Sequence, residues 1–302
     1  MVWVIGSKGM LGTEICRQLI AAHIDHVATD LEVDIRDYDA LLHYGRSWNI
    51  KWIINCAAYT AVDKAETDIE FAKQLNEIAP ANIAKVADLI GAKIIHISTD
   101  YVFDGTGNTP RTEDMAVAPI GVYGVTKANG EKAVIENSKY HYIIRTAWLY
   151  GWAGKNFVYT MIKAMNTHDS IKVVNDQRGT PTFASDLAST ILLLIEKEQH
   201  NRLENPTTPY GIYHCTDLGD ISWWDFANEI KNQGIGAGWV TNKDCVVNAC
   251  TTDEYPTPAK RPAYSVLSKD KIQKALELQL PDWKDSLHEF LTSELFEKDR
   301  IM

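Results

Sequence analysis

No stretch of this 302-residue chain approaches the roughly 18 consecutive apolar residues that a membrane-spanning helix needs. No run of Lys or Arg stands out either. The chain carries 30 basic and 40 acidic side chains, a formal net charge of -10. Such a surface repels a phosphate backbone, so nucleic acid is not an expected partner, whereas a small anion needs only a local site. Cysteine is scarce and scattered. The five thiols (Cys16, Cys56, Cys215, Cys245 and Cys250) are odd in number, and Cys245 and Cys250 lack the CxxC spacing of a zinc site. Reduced thiols in a cytoplasmic protein are expected, and no metal site is assigned. No basic segment precedes Val2-Trp3-Val4-Ile5, so a cleavable leader is not expected. Internal repeats and low-complexity tracts are lacking as well.

What is present is ample apolar material, 45% of residues, enough for one large domain and a smaller one. The first half alternates short β-rich runs with amphipathic stretches. Strands are expected at Val2–Ile5, His26–Thr29, Trp52–Ala57, Lys93–Thr99 and Tyr142–Arg145. Helices are expected at Met10–Ala22, Tyr38–Ser47, Asp68–Ile90 and Tyr123–Asn137. Apolar strands without alternation, separated by helices, imply a parallel sheet covered on both faces. The fold class is therefore α/β, a Rossmann-type doubly wound parallel sheet over residues 1–150. Beyond Gly151 the pattern is less regular, with helices at Phe157–Asn166 and Asp186–Glu196, a strand at Ile171–Val174 and a polar loop at Gln199–Pro209. Residues 151–302 are expected to form mainly a smaller α+β substrate lobe, with some segments returning to the first domain.

Gly6-Ser7-Lys8-Gly9-Met10-Leu11-Gly12 lies between the first strand and the first helix. Glycines there permit a tight turn and close approach of a pyrophosphate, which the free N–H groups of the helix start can bind. Asp30 closes the second strand, 18 residues beyond Gly12, where a carboxylate can accept ribose hydroxyls and so favours NADH. Lys8 argues the other way, since an ammonium can meet a 2′-phosphate. NADH and NADPH both stay open as cofactors.

Tyr123 and Lys127 form a Tyr-x-x-x-Lys pair on one helical face. A free phenol has a pKa near ~10, too high for efficient acid–base work at neutral pH. A Lys cation at about 4 Å can contribute roughly 4 kcal/mol, about 3 pK units, toward ionising it. The spacing alone is weak: 13 Tyr and 21 Lys give about one chance match. Tyr159 and Lys163 repeat it, but beyond the nucleotide fold, in an apolar run where the aromatic reads as core. Thr99 ends the fourth strand, where ligands of parallel sheets bind, and its hydroxyl can hold a substrate oxygen. Ser98 competes, but adjacent strand side chains point oppositely, so only one is expected to serve the site.

Longer strings narrow the reading. They include Asn55 through Glu66, Ser98 through Gly105, Tyr123 through Lys127, Arg145 through Gly151, Asp176 through Thr182 and Arg261 through Leu267. With Gly6–Gly12, these resemble the dTDP-4-dehydrorhamnose reductases, extended short-chain dehydrogenases/reductases, nearly end to end. Val62-Asp63-Lys64-Ala65-Glu66 and Thr99-Asp100-Tyr101-Val102-Phe103 are the most specific. The resemblance implies Thr99, Tyr123 and Lys127 as catalytic residues. It implies a sugar pocket lined by Thr60, Val62, Asp100, Tyr101 and Trp148, with Asn156 and Arg261 on the nucleotide diphosphate. Cofactor contacts are expected at Gly6, Gly9, Met10, Leu11, Gly12, Asp30, Asp34, Ala57, Ala58 and Tyr59, besides Tyr123 and Lys127. A dTDP-sugar is the implied partner, and a homodimer is left open.

The implied reaction is reduction of the C4 ketone of dTDP-4-dehydro-L-rhamnose, with Tyr123 as proton donor. A dehydratase or epimerase on the same fold is the nearest alternative, but Thr99-Asp100 is followed by Tyr101 and not by the Glu of a dehydratase. A third reading is a non-catalytic subunit resembling the regulatory β subunit of methionine adenosyltransferase.

Overall fold

The computed structural model describes residues 1–301. Four short strands of the first half are wholly or largely buried and pair in parallel: β1 (Val2–Ile5), β3 (Trp52–Asn55), β4 (Lys93–Thr99) and β5 (His141–Thr146). β2 (His26–Thr29) adds to the outer side of β1, and a sixth strand, Gly211–His214, adds to β5. The spatial order is thus 2-1-3-4-5 followed by Gly211–His214. The order reverses between β1 and β3, and that reversal opens a crevice at the carboxyl ends of the strands.

Helices cover both faces, as two-sided burial of the strands requires. On one face lie α1 (Met10–Ala21) and a long helix of the second half, Ala184–Glu198, which pack on each other through Leu11, Ile15, Leu187 and Ile191. On the other lie α2 (Tyr38–Arg46) and the Ala79–Ile90 helix, with Leu41, Ile83 and Val86 buried. A separate aromatic core joins Tyr150, Tyr159, Phe183, Phe226 and Phe290 in the second half. The expected helix Asp68–Ile90 is real but not uniform. It runs as Ile69–Lys73, a π-helical turn Gln74–Ile78, then Ala79–Ile90. That turn aims Asn76 inward, fully buried, where it bonds both backbone groups of Tyr59 (2.8 and 3.1 Å) and the Thr126 hydroxyl (3.2 Å). One side chain so ties the loop after β3 to the helix that carries Tyr123 and Lys127.

Candidate active site

The glycine loop is closed by contacts that only hydrogen on Cα allows. Gly6 has φ +77°, and a Cβ there would lie 2.7 Å from the Ala57 nitrogen. A Cβ on Gly12 would lie 2.1 Å from the Gly6 carbonyl oxygen. The loop therefore presses against both the end of β3 and the start of α1. The helix start has no side-chain cap, so its N–H groups face the crevice. A cavity of about 420 Å³ opens here, lined by Gly6, Gly9, Asp30, Asp34, Ala57 and Ala58. The Asp30 carboxylate accepts the Lys8 backbone N–H at 2.9 Å, bracing the loop. The Lys8 ammonium pairs with Glu32 at 3.6 Å, and Arg36 pairs with Asp34 at 2.7 Å.

A second cavity, about 400 Å³, shares Gly9, Cys56 and Ala58 with the first. Its walls bring together Met10, Leu11, Gly12, Thr60, Val62, Thr99, Asp100, Tyr101, Tyr123, Lys127 and Trp148. Three segments far apart in sequence supply the residues expected at the site. Thr99 ends β4, Tyr123 and Lys127 lie on helix Val122–Asn137, and Trp148 follows β5. The helix that carries Tyr123 and Lys127 has Gly121 at its N-cap, which offers no capping side chain; Glu66 supplies the cap instead, accepting the Val122 N–H at 2.9 Å.

Thr99 donates to Asp100 Oδ1 (3.0 Å) and accepts the Tyr101 N–H (3.2 Å), and its hydroxyl favours the ionised form of the Tyr123 phenol. Ser98 turns the other way, donating to Glu131 at 2.5 Å, as strand alternation requires. Burial raises Asp100 to about 6, with the Ser265 and Thr99 hydroxyls partly offsetting it. The expected tuning of Tyr123 by Lys127 is not what the structure shows. Burial, reinforced by Asp100 and eased by Thr99, pushes the phenol up to about 12. The Lys127 ammonium instead donates to the Ile97 carbonyl at 2.6 Å, and burial draws it down to about 8. Sharing a helical face did not make the two side chains partners, because a buried ammonium first satisfies its own hydrogen bonds.

Comparison with known proteins decides the family. The family model described as the RmlD substrate binding domain matches residues 1–296. This chain belongs to the RmlD family. It is 38% identical to the dTDP-4-dehydrorhamnose reductase of Escherichia coli (strain K12), over 98% of each chain. A solved dTDP-4-dehydrorhamnose reductase from Clostridium acetobutylicum ATCC 824 is 42% identical, with TM-score 0.86, over 96% of this chain and 97% of that one. One from Bacillus anthracis str. Ames, in complex with NADP, is 36% identical with TM-score 0.87, again over 96% and 97%. The Rossmann-type architecture expected from the sequence is thereby confirmed.

In this RmlD-family chain three expected residues lie outside the two cavities. Tyr59 is buried, its ring edge-on to Phe71 and its phenol donating to Asp68 at 3.2 Å. Asn156 caps the helix Phe157–Thr167, accepting the Tyr159 N–H, and lines a third cavity of about 320 Å³. Arg261 pairs with Asp63 at 2.9 Å, so the Val62–Glu66 string holds both the C-terminal Arg261 loop and, through Glu66, the helix Val122–Asn137. Tyr159 of the repeated Tyr-x-x-x-Lys pair is buried in the aromatic core, where its ring meets Phe290 and Phe296.

Two wall residues, and the ring partner of a third, were not among the expected contacts. Cys56 lines both cavities, and Lys155 lines the second and third. Trp223 stacks flat on Trp148, with ring centroids 3.6 Å apart. Trp148 itself has φ +47°, a left-handed conformation that costs roughly 1–2 kcal/mol for a non-glycine residue. The stack on one side and Gly179 on the other fix its indole, since a Cβ at Gly179 would fall 2.6 Å from the ring.

Proposed function

We propose that this chain is an NAD(P)H-dependent oxidoreductase that reduces the C4 ketone of dTDP-4-dehydro-L-rhamnose to dTDP-L-rhamnose. One observation carries the reading. A phenol held protonated by burial, beside a strand-end hydroxyl, lines a cavity that shares Gly9, Cys56 and Ala58 with the glycine-loop crevice. The crevice fits a dinucleotide: Gly6 and Gly12 permit the tight turn into α1, and uncapped helix N–H groups are available for a pyrophosphate. When bound, the reduced nicotinamide supplies the hydride to the carbonyl carbon.

The protein's own groups then manage the oxygen and its proton. Tyr123, kept in its acid form by burial, donates the proton to the C4 oxygen. Thr99 orients that oxygen from the opposite side. Lys127 holds the nicotinamide ribose. Among the described residues Asp100 is the one carboxylate in the lining of this cavity, which suits a reduction and leaves a dehydratase without a separate base. Trp148, Tyr101, Thr60 and Val62 form the sugar walls, with Asn156 and Arg261 toward the nucleotide diphosphate. The lobe division near residue 150 belongs to this reading, and Ala184–Glu198 and Gly211–His214, which join the first body, support it. Asp30 at the crevice favours NADH; Lys8 and Arg36 beside it favour NADPH. Steady-state kinetics with each cofactor decides between them.

Tyr123→Phe is expected to abolish oxidation of NAD(P)H by the dehydro-sugar while leaving the cofactor dissociation constant within about twofold. Turnover at the wild-type rate in that variant refutes the assignment.

A further inference from the structure

Beneath the floor of the cleft lies a buried ionic cluster that the reaction above does not use. Glu131 accepts from Ser98 (2.5 Å) and, in a fork, from Arg145 Nε (2.8 Å) and Nη2 (2.7 Å). All three residues are at most 3% exposed. Arg145 also faces His214 Nε2 at 3.4 Å and lies over the Phe103 ring. An ion pair this deep is a poor device for stability, because apolar residues of equal volume serve as well or better. Its placement suggests a different use. Glu131 follows Lys127 by four residues on the same helix, hence on the same face. Lys127 is itself 2% exposed, with its ammonium on the Ile97 carbonyl.

We propose that Glu131, clamped by Arg145 and Ser98, is a positioning residue that keeps the buried Lys127 side chain charged and directed at the Ile97 carbonyl. The proposal rests on the role assigned to Lys127 above. The other ionisable groups around Lys127 do not replace Glu131. From β4, His96 is fully buried, bonded to Asn55 at 3.0 Å and held neutral by burial and by Lys127. Past the end of β3, the Cys56 thiol is held protonated by burial. Tyr123, on the same helix, is pushed up to about 12. Arg145, from β5, is a cation. Burial lowers Lys127, and the Glu131 carboxylate is the foremost influence opposing it.

The test is the pH profile of kcat/KM for NADPH, which reports groups of the free enzyme. The wild-type alkaline limb is expected near pH 8, the value to which burial draws Lys127. Glu131→Gln should move that limb down by about one unit, a loss of about eightfold at pH 8.5 but within about 1.2-fold at pH 6. A uniform loss with an unmoved limb marks a purely structural role and overturns the proposal. Should the stranded Arg145 prevent folding, the double variant Glu131→Gln/Arg145→Met removes both charges, and the same displaced limb is expected. A wild-type limb there also overturns it. Lys127→Met separates the two levels of argument. Wild-type turnover in Lys127→Met refutes the function assigned to that residue, whereas an inactive Lys127→Met beside an unmoved Glu131→Gln limb refutes only the role of Glu131.

Discussion

Alanine at Gly12 should cripple cofactor binding while alanine at Gly9 should not, although the two are only three residues apart. A Cβ at Gly12 would lie 2.1 Å from the Gly6 carbonyl oxygen and 2.8 Å from the Ser7 Cα. Ordinary C···O contacts begin near ~3.3 Å, so the loop must open by about 1 Å. Both obstacles are backbone, so no rotamer change relieves them. Forced overpacking of this kind costs about 1–3 kcal/mol. If it falls on the bound loop geometry, the dissociation constant rises about 5- to 150-fold. At Gly9 the backbone is extended (φ -73°, ψ 170°), and a Cβ would meet only the Gly6 oxygen, at 3.3 Å. Gly9→Ala should therefore stay within about threefold. Gly91→Ala is the control: φ is +67°, nothing lies within 4 Å, and the site is remote from the crevice. That variant should lose about 1 kcal/mol of stability through the αL penalty and bind cofactor normally. Fluorescence titration with NADPH, beside thermal melts of all three, reads the difference. A Gly12→Ala protein that binds as tightly as wild type, or a Gly9→Ala protein that binds more weakly than Gly12→Ala, refutes the reasoning.

Two further outcomes are expected. Asp186 is raised to about 6 by burial, and Asp217, close enough to interact with it, is raised well above the usual carboxylate range. Carboxyls raised on folding contribute stability that is complete below about pH 4 and is lost as pH rises through the folded values. The Asp186 share of that loss is up to about 3 kcal/mol. Asp186→Asn, which keeps an acceptor for the Ser286 hydroxyl (2.7 Å), should flatten urea stability between pH 5 and 8. A slope equal to that of wild type counts against it. Trp223→Ala removes the stacked partner of Trp148, worth about 0.5–1.5 kcal/mol. The sugar KM should rise about two- to twelvefold with cofactor affinity unchanged. An unaltered KM would separate the stack from substrate binding.

The sequence was most informative where one local rule dominated. Val2–Ile5, His26–Thr29 and Lys93–Thr99 emerge with the expected bounds because short apolar runs between turn residues have few alternatives. Trp52–Ala57 ends early, at Asn55, since the Asn55 side chain accepts the Ala57 N–H and turns the chain out of the sheet. The π-helical turn had no compositional mark, because it differs from its neighbours only in which carbonyl each N–H reaches. The gathering of Gly6–Gly12, Thr99, Tyr123 and Lys127 was legible because ligands of parallel sheets meet at strand ends. The direction of the Tyr123 shift was not. Helical spacing fixes where Cβ atoms lie but leaves the ammonium free to choose the Ile97 carbonyl. Contacts across the fold, such as Trp223 on Trp148 and Arg261 on Asp63, have no local sequence signal at all.

The strand Gly211–His214 has a consequence for how the protein is made. During synthesis β1 through β5 are complete once Thr146 has emerged, yet the outer edge of β5 then has no neighbour to accept or donate its hydrogen bonds. The apolar face of α1 likewise waits for Ala184–Glu198. A nascent chain of about half length would present both a bare sheet edge and a sticky helix face, two features that promote misassociation. Cotranslational folding of the nucleotide-binding half should therefore finish only after residue 214 has left the ribosome, and a truncation near residue 150 should aggregate instead of yielding a smaller cofactor-binding module.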